Sequence, residues 1–418
     1  MLIEFSVANF RSFREKQTFQ MTAAPRLGKV DNTFDAGVKG EKLPRLLKAA
    51  VIYGANASGK SSLILALGVI EKLAKARPDA RRPGLPVSPF RFDKELLDKP
   101  SEFEIHFITD GMRYQFQVAA TQARITQETL YAYPRGKECL IYDRRHSNNI
   151  DEYKFGSTFE ADHIVRDVWR NLTGPQSLFI SQAVANSNDA LRQLKIPFHW
   201  LTEGLFLLEH GPSQLYHLGA RVPSQPILSK YISAFLQEVD VPVTEIRWER
   251  AEDPDQANKI NPGKSGPPGE EGKTTLTHET RLGSAEFDLS EESSGTRNLI
   301  GFWLPWSILS GKVGETPQKY GLIVVDEFDS SLHPEIVEHL VSQHIASGSK
   351  AQLIFTTHDT HLMSTKLLRR DQLWVTDRNS NGATRLTSIH SYKGRESEDI
   401  EKRYFEGRYR GLPIRRGK

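Results

Sequence analysis

The chain has 418 residues, of which 38% are hydrophobic and 26% charged, so a fibrous repeat and disorder throughout are excluded. The length predicts two to three domains. The single cysteine, Cys139, excludes an internal disulfide and a cysteine zinc site. The longest uncharged apolar stretch, residues 299–311, is too short to span a bilayer, and early charged residues argue against a signal peptide. These features predict a soluble cytoplasmic protein without a membrane partner.

The net charge of +3 conceals a basic segment near the C-terminus. Seven Lys/Arg and one Glu give residues 402–418 a local charge of +6, with Tyr404, Phe405 and Tyr409 between them. Interleaved basic and aromatic residues are typical of surfaces that meet phosphates or an acidic partner. A solvated terminal tail fits this composition equally well.

In chain order, the first elements are strands. Alternating apolar residues predict two short strands around the turn NFRSF at residues 9–13. The apolar run 49–53 predicts a buried strand, and helical spacing predicts a helix over 61–73. Four prolines in residues 77–89 indicate a loop.

The remaining chain changes character several times. Residues 102–133 predict paired strands with a hairpin turn at Asp110-Gly111, and residues 160–240 are mostly helical in pattern. Residues 252–274 have the Pro, Gly and charge content of a disordered loop. The alternation of strand and helix over residues 321–356 predicts a parallel sheet with covering helices.

The clearest motif is GANASGKS at residues 54–61, which matches the phosphate-loop pattern GxxxxGK[ST] in full. It lies between the predicted strand and helix, as this motif requires. Glycines let backbone N–H groups face phosphates, and the helix N-terminus adds partial positive charge. The motif predicts that Lys60 neutralises the β- and γ-phosphates and that the Ser61 hydroxyl binds Mg²⁺.

Two acidic residues follow the apolar run 322–325. A central strand that ends in Asp326 places this carboxylate beside the phosphate loop, where it can hold Mg²⁺ through water. Glu327 points elsewhere and can polarise the attacking water as the general base.

Two more segments complete the pattern. SSGTR at residues 293–297 leads into an apolar helix, and taken alone it fits an ordinary helix N-cap. The strand IFTT ends at His358. His358 and His361 also have a spacing found in metal sites, although no cysteine lies nearby.

This order of motifs resembles the ABC-type ATPase heads of the SMC, RecF, double-strand-break-repair and overcoming-lysogenisation families. The resemblance implies that Ser293 and Gly295 close over the γ-phosphate of the opposite subunit. It also implies that His358 contacts the γ-phosphate and that residues 329–333 cross the dimer interface. The signature departs from the LSGGQ pattern of these heads at Glu292, Ser294 and Thr296.

The predicted site residues fall into three groups. Those assigned to catalysis are Lys60, Glu327 and His358. Those assigned to nucleotide binding are Gly54, Asn56, Ala57, Ser58, Gly59, Lys60, Ser61, Ser62, Ser293 and Gly295. Those assigned to Mg²⁺ are Ser61 and Asp326. The resemblance also implies an Mg²⁺-sensing glutamine, for which the sequence offers Gln115, Gln117, Gln122, Gln127 and Gln182 without choosing among them.

Flanking segments narrow the resemblance. FSVANFRSF (5–13), PFRFD (89–93), the paired strands of 103–133 and FEGRYRGLP (405–413) resemble the stand-alone AAA-type, ABC-like ATPases of bacteria. This group includes the RloA-like, abortive-infection ATPases of antiviral defence. The resemblance implies a homodimer or higher homo-oligomer that senses infection through a nucleic acid or phage protein. It would control a separately encoded effector, such as a Toprim-like or other nuclease.

Three other functions compete with this interpretation. A RecF-like DNA-repair or DNA-clamp ATPase is the main alternative, because such a clamp does not need the long heptad arms that this sequence lacks. A transporter energy subunit would be shorter and would lack the strands of residues 102–133. A self-contained nuclease would need a further catalytic domain, and only 60 residues follow His358.

The sequence thus predicts an α/β, ABC-type ATPase head of two lobes, with a mixed sheet, an antiparallel β-lobe and a helical insertion. Residues 1–156 are predicted to form the first lobe and residues 157–245 the insertion. Residues 246–418 are predicted to form the second lobe with the signature, the acidic pair and the histidine. ATP is expected between two subunits, because Lys60 and Ser293 of one chain serve different nucleotides.

Overall fold

The fold was analysed in a computed structural model of the chain. The structure describes residues 1–76, 84–187, 191–209, 226–250, 272–311, 321–364, 366–395 and 398–412. The loops predicted from prolines at 77–89 and from composition at 252–274 lie mostly outside these described residues.

Strands and helices are numbered here in chain order. The strands are β1 (Leu2–Ala8), β2 (Gln17–Gln20), β3 (Thr33–Phe34), β4 (Leu46–Leu47), β5 (Ala49–Tyr53), β6 (Ser101–Thr109), β7 (Met112–Ala120), β8 (Ile125–Ala132), β9 (Cys139–Ser147), β10 (Ile150–Phe155), β11 (Leu205–Leu208), β12 (Val243–Arg250), β13 (Gly272–Thr280), β14 (Gly283–Asp288), β15 (Leu322–Val325), β16 (Gln352–Thr356), β17 (Leu373–Arg378) and β18 (Thr384–Ser388). The helices are α1 (Lys60–Lys75), α2 (His163–Leu172), α3 (Phe179–Ala185), α4 (Arg192–Glu203), α5 (Pro226–Glu238), α6 (Ser294–Ser310), α7 (Pro334–Ala346), α8 (His361–Ser364) and α9 (Ile400–Phe405).

A seven-stranded antiparallel sheet forms the β-lobe, in the order β10-β9-β8-β7-β6-β1-β2. β1 pairs with β2 across the NFRSF turn, as predicted. β6 pairs with β7 through the predicted turn, where Asp110 and Gly111 both have positive φ. This combination is the signature of a tight hairpin turn that follows the twist of its strands.

The central sheet has the order β11-β15-β16-β5-β17-β18 and is parallel except for the final antiparallel pair. Successive residues of β5 face opposite sides. Ala50 and Ile52 belong to a core shared with α1 and the β-lobe, whereas Ala49 and Val51 belong to a core shared with α6 and α7. Because the sheet is covered on both faces, its strands are continuous apolar runs.

The predicted helical insertion contains α2 to α5 and also supplies a strand to the central sheet. β11 pairs in parallel with β15, so Leu205 to Leu208 lie beside the strand that ends at the acidic pair. β12 leaves this region to form a small antiparallel sheet with β13 and β14. The predicted α/β architecture of a mixed sheet, a β-lobe and helices is confirmed, and the predicted domain boundaries stay predictions.

The basic segment near the C-terminus is not a solvated tail as far as residue 412. Tyr404 and Tyr409 are buried, and Tyr404 Oη donates to the Gly411 carbonyl over 3.1 Å. A Cβ on Gly411 would lie 2.3 Å from Val375 Cγ1, so β17 closely approaches this backbone. The interleaved tyrosines therefore anchor the segment to the central sheet.

Within the described part of the chain, no helix has both the length and the apolar character needed to cross a membrane.

Candidate functional site

The loop after β5 is shaped by two glycines with positive φ, +146° at Gly54 and +111° at Gly59. A Cβ on Gly54 would lie 2.4 Å from Thr376 Oγ1, and one on Gly59 would lie 2.1 Å from Thr384 Oγ1. Both sites therefore lack room for a side chain and have a conformation that only glycine adopts readily. The loop then leads directly into α1 at Lys60.

Two threonines from the far end of the chain brace this loop. Thr376 Oγ1 lies 2.6 Å from Ser58 Oγ and donates to the Tyr53 carbonyl over 3.1 Å. Thr384 Oγ1 donates to the Ser58 carbonyl over 2.8 Å. Sequence reasoning missed both residues, because Thr376 lies 318 positions from Ser58 and no local motif marks it.

Lys60 is buried at the start of α1, and its Nζ donates to the Gly54 carbonyl over 2.8 Å. Burial lowers the pKa of Lys60, and the negative charges of Asp326, Glu327 and Asp329 oppose that shift. The lysine and the acidic segment are therefore close enough to interact, although 266 positions separate Lys60 from Asp326.

The acidic pair follows β15, and its two carboxylates have different surroundings. Asp326 is 5% exposed, and its Oδ1 accepts a hydrogen bond of 2.5 Å from Thr356 Oγ1. The side chain of Glu327 is exposed, and its backbone has φ +50°. This left-handed conformation costs a residue with a Cβ about 1–2 kcal/mol. The turn therefore separates a buried carboxylate from one that faces open space.

A cavity of about 890 Å³ brings most of the predicted site residues together. Its walls are formed by Ser12, Asn56, Ala57, Ser58, Gly59, Lys60, Ser61, Ser62, Glu327, Asp329, Ser330 and His358. Ser12 comes from the NFRSF turn, which was predicted as a turn and not as part of the site. Asp326 and Gly54 are not among these wall residues.

A second cavity, of about 1010 Å³, lies along the same loop. It shares Asn56, Ser58 and His358 with the first cavity, and Gly54 is part of its wall. The segment that contains Tyr404 forms another part of this wall. Residues 405–412 of the FEGRYRGLP motif thus fold beside the phosphate loop.

The signature residues Ser293 and Gly295 are not wall residues of the first cavity, although they lie next to Ser330 and Ser331 at its edge. Ser293 caps α6, since its Oγ accepts a hydrogen bond of 3.1 Å from the Thr296 backbone N–H. A Cβ on Gly295 would lie 2.7 Å from the Ser331 carbonyl oxygen, and Asn298 Nδ2 donates to the Ser330 carbonyl over 3.0 Å. The start of α6 therefore packs against residues 329–333 of its own chain.

The histidines separate into different environments. His358 lies on the cavity wall, and its backbone N–H donates to Asp329 Oδ2 over 3.4 Å. His361 Nε2 instead lies 2.8 Å from Glu338 Oε2. In the described part of the chain, no group of three or more His, Cys, Asp and Glu side chains is arranged to hold a metal ion.

A magnesium ion needs fewer protein ligands than such a cluster supplies. Mg²⁺ prefers hard oxygen ligands and usually keeps several waters and phosphate oxygens. The Ser61 hydroxyl and the Asp326 carboxylate fit this chemistry. None of the five candidate glutamines is a wall residue of the cavity as described, so the glutamine stays unassigned.

A glycine loop at a helix N-terminus, the Glu327 carboxylate after β15 and His358 after β16 line one cavity. These features define a P-loop nucleotide-binding head of the ABC type. The chain belongs to a family of AAA domains, since residues 49–364 match the family model described as "AAA domain, putative AbiEii toxin, Type IV TA system". The predicted membership of an ABC-like AAA ATPase family is confirmed.

Solved SMC heads are similar to this chain at low sequence identity. The SMC head bound to the C-winged helix domain of ScpA is 15% identical, covers 93% of this chain and 97% of its own, and gives a TM-score of 0.46. The SMC head from Thermotoga maritima is 15% identical, with coverages of 93% and 98% and a TM-score of 0.40. An SMC head with an extended coiled coil, bound to the C-terminal domain of ScpA derived from Pyrococcus furiosus, is 14% identical, with coverages of 97% and 99% and a TM-score of 0.43. No curated protein matches the chain.

Proposed function

We propose that the chain is a cytoplasmic ATPase that binds ATP between two subunits, hydrolyses it with Mg²⁺ and thereby controls a separate toxic effector in antiviral defence. The observation that carries this proposal is the cavity wall shared by Lys60, Ser61, Glu327 and His358. A cation, a metal-binding hydroxyl, a carboxylate base and a histidine are the groups that phosphoryl transfer to water requires.

Each residue has a definite part in the proposed reaction. The loop amides and Lys60 bind the β- and γ-phosphates, while Ser61 and Asp326 hold the metal. Bound there, Mg²⁺ would neutralise charge on the phosphate oxygens. Glu327 orients the attacking water and accepts its proton, and His358 donates a hydrogen bond to the γ-phosphate.

The position of the signature supports an ATP sandwich. Ser293 and Gly295 are not wall residues of the cavity that their own chain forms. The start of α6 would therefore meet the nucleotide of a second subunit. Each complete site would then combine Lys60 of one chain with Ser293 of the other.

Two observations support a role in defence. The description of the matching family names the AbiEii toxin and a type IV toxin–antitoxin system. In addition, the NFRSF turn and the FEGRYRGLP segment, on which the resemblance to abortive-infection ATPases rests, both adjoin the phosphate loop. We assign the toxicity to a separate effector, because Glu327 and His358 of the recognised motifs line the nucleotide cavity and Asp326 lies beside Glu327. The trigger would be a nucleic acid or a phage protein.

The enzymatic proposal is tested by phosphate release from ATP with Mg²⁺. The purified chain should hydrolyse ATP, and Glu327→Gln should bind ATP normally while hydrolysing it about 100-fold more slowly. The variant should also accumulate ATP-bound dimers in size-exclusion chromatography. Equal hydrolysis by both proteins would place the general base elsewhere.

The defence proposal is tested in cells. Expressed alone, the chain should be harmless and should leave DNA and RNA uncut. Expressed with the products of neighbouring genes, it should form a complex and protect against phage only with Lys60 and Glu327 intact. Toxicity of the chain expressed alone would overturn the proposal that a separate effector carries the toxic activity. Specific, salt-dependent DNA binding without any effector would favour the clamp alternative.

A further inference from the structure

One residue fixes three successive residues of the acidic turn. Thr356 ends β16, and its side chain is fully buried. Its Oγ1 donates to Asp326 Oδ1 over 2.5 Å and accepts from the Glu327 N–H over 2.8 Å. Its backbone carbonyl accepts from the Phe328 N–H over 3.0 Å. Asp326, Glu327 and Phe328 are therefore all held by a single neighbouring position.

The direction of these bonds follows from the chemistry of a hydroxyl group. A threonine hydroxyl has one proton to donate and lone pairs to accept. The proton is used on Asp326, which leaves the lone pairs to receive the Glu327 N–H. The Asp326 carboxylate thus fixes the rotation of the hydroxyl, and the hydroxyl in turn fixes the backbone of Glu327.

Glu327 needs such support, because its φ of +50° is unfavourable for a residue with a Cβ. Conformations of this kind persist where surrounding contacts over-determine them. Here the two peptide N–H groups that flank the Glu327 Cα–C unit are both bonded to Thr356. The outcome of this arrangement is that the Glu327 side chain lies on the wall of the nucleotide cavity.

We propose that Thr356 is a positioning residue for hydrolysis, which holds Glu327 in the left-handed conformation that directs its carboxylate at the attacking water. This inference rests on the proposed function, in which Glu327 is the general base. A base displaced by a fraction of an ångström remains present but no longer reaches the water in line with the γ-phosphate.

The first experiment separates positioning from binding. Thr356→Val keeps the shape of the side chain and removes the hydroxyl, and should lower kcat about 10- to 100-fold. The KM for ATP, and the calorimetric affinity for a non-hydrolysable ATP analogue with Mg²⁺, should change by less than about threefold. Thr356→Ser retains the hydroxyl and should recover kcat to within about threefold of the wild type.

A matched control removes a buried hydroxyl elsewhere. Thr173 Oγ1 donates to the Trp169 carbonyl over 2.7 Å, in a part of the chain that does not line the cavity. Thr173→Val should therefore leave hydrolysis unchanged while costing a similar amount of stability. If Thr356→Val does not fold, Thr356→Ala replaces it with the same expectation.

A double-mutant cycle tests whether Thr356 acts through Glu327. In a Glu327→Gln background, Thr356→Val should lower the residual hydrolysis by less than about twofold, because the positioned base is already gone. An additive loss, or a wild-type rate in the single Thr356→Val variant, would overturn the positioning role alone. Wild-type hydrolysis by Glu327→Gln would instead overturn the general base, and with it both proposals.

Discussion

The phosphate loop and the signature both stand at the start of a long helix, and the two helices begin differently. α1 follows Gly59, which has no side chain to offer its first N–H groups. α6 follows Ser293, whose hydroxyl accepts the Thr296 N–H. The first backbone N–H groups of α1 thus donate no hydrogen bond to a capping side chain, which leaves them available to a ligand. In α6, the capping serine already accepts a hydrogen bond from one of these N–H groups.

The surroundings of the two starts differ in the same sense. The phosphate loop is tied by Thr376 and Thr384 to the central sheet and lies on a cavity wall. The signature is tied by Gly295 and Asn298 to the loop of residues 329–333. The phosphate loop therefore lines a concave pocket, whereas the signature packs against a loop of its own chain. Substitutions in the two regions should have separable effects.

The largest effect is expected at the phosphate loop. Lys60→Ala should weaken ATP binding about 100-fold, since the charge-assisted bonds to two phosphates are lost. The melting temperature should fall by only a few degrees, because the hydrogen bonds lost are two that Lys60 Nζ donates to carbonyls of its own loop. Lys72→Ala, on the exposed side of the same helix, serves as the control. Unchanged affinity by calorimetry would remove Lys60 from the site.

The signature should show the opposite profile. Ser293→Arg should reduce hydrolysis at least about tenfold while changing ATP affinity less than about threefold, because the residue is predicted to act on the opposite subunit. Mixing this variant with Lys60→Ala subunits should restore partial activity, since the mixed dimer retains one intact composite site. If mixing restores no hydrolysis, the phosphate loop and the signature of one chain act on the same nucleotide.

A smaller effect is expected from the braces of the phosphate loop. Thr384→Val removes the hydroxyl that donates to the Ser58 carbonyl, at a cost of about 1 kcal/mol. ATP affinity should fall several-fold, whereas a signature-dependent step should be unaffected. Thr387→Val on the same strand is the control. A change in dimerisation without a change in affinity would show that the bracing serves the interface instead.

The smallest effect on ATP binding and hydrolysis is expected at a histidine that joins the two regions. His344 is buried, and its ring nitrogens lie 3.0 Å from the carbonyls of Leu309, in the signature helix, and Lys48, before the phosphate-loop strand. Burial lowers the pKa of His344. Below about pH 6.5 the unfolded chain therefore binds a proton more readily than the folded chain does. The free energy of unfolding decreases as the pH is lowered.

This titration can be measured by denaturant unfolding between pH 5 and pH 8. Stability should therefore decrease as the pH is lowered through the pKa of the unfolded histidine, with a His344 contribution of at most about 1.4 kcal/mol per pH unit. His344→Gln should remove this part of the slope, as judged by the difference from the wild type. Parallel slopes in the two proteins would show that His344 is protonated equally in both states.

The sequence allowed accurate prediction wherever the signal was local. The phosphate loop, the Asp110-Gly111 hairpin and the strand-helix-strand order of residues 321–356 depend on neighbouring residues, and all three are present. The hairpin of β9 and β10 was missed, because its strands are rich in charged residues. Its turn nevertheless carries a usable signal, since Asn148 and Asn149 both have positive φ.

Other parts of the site are invisible in a single sequence. Thr376, Thr384 and Thr356 reach their partners only after the parallel sheet has assembled, with β17 and β16 on either side of β5. Their contacts depend on register between strands that are distant in sequence. No spacing rule connects a threonine at position 384 with a serine at position 58.

The packing of the signature also sets which substitutions it can tolerate. Position 295 should reject every side chain, because even a methyl group would press on the Ser331 carbonyl. Position 293 should favour the residues that cap helices, and other residues, arginine included, should lower stability by about 1 kcal/mol without preventing folding. The Glu292 carboxylate lies 2.6 Å from His278 Nε2. A substitution of Glu292 should therefore be tolerated best together with a matching substitution of His278. A saturation scan read out by folding alone should therefore recover the Ser-x-Gly pattern, without any nucleotide being present.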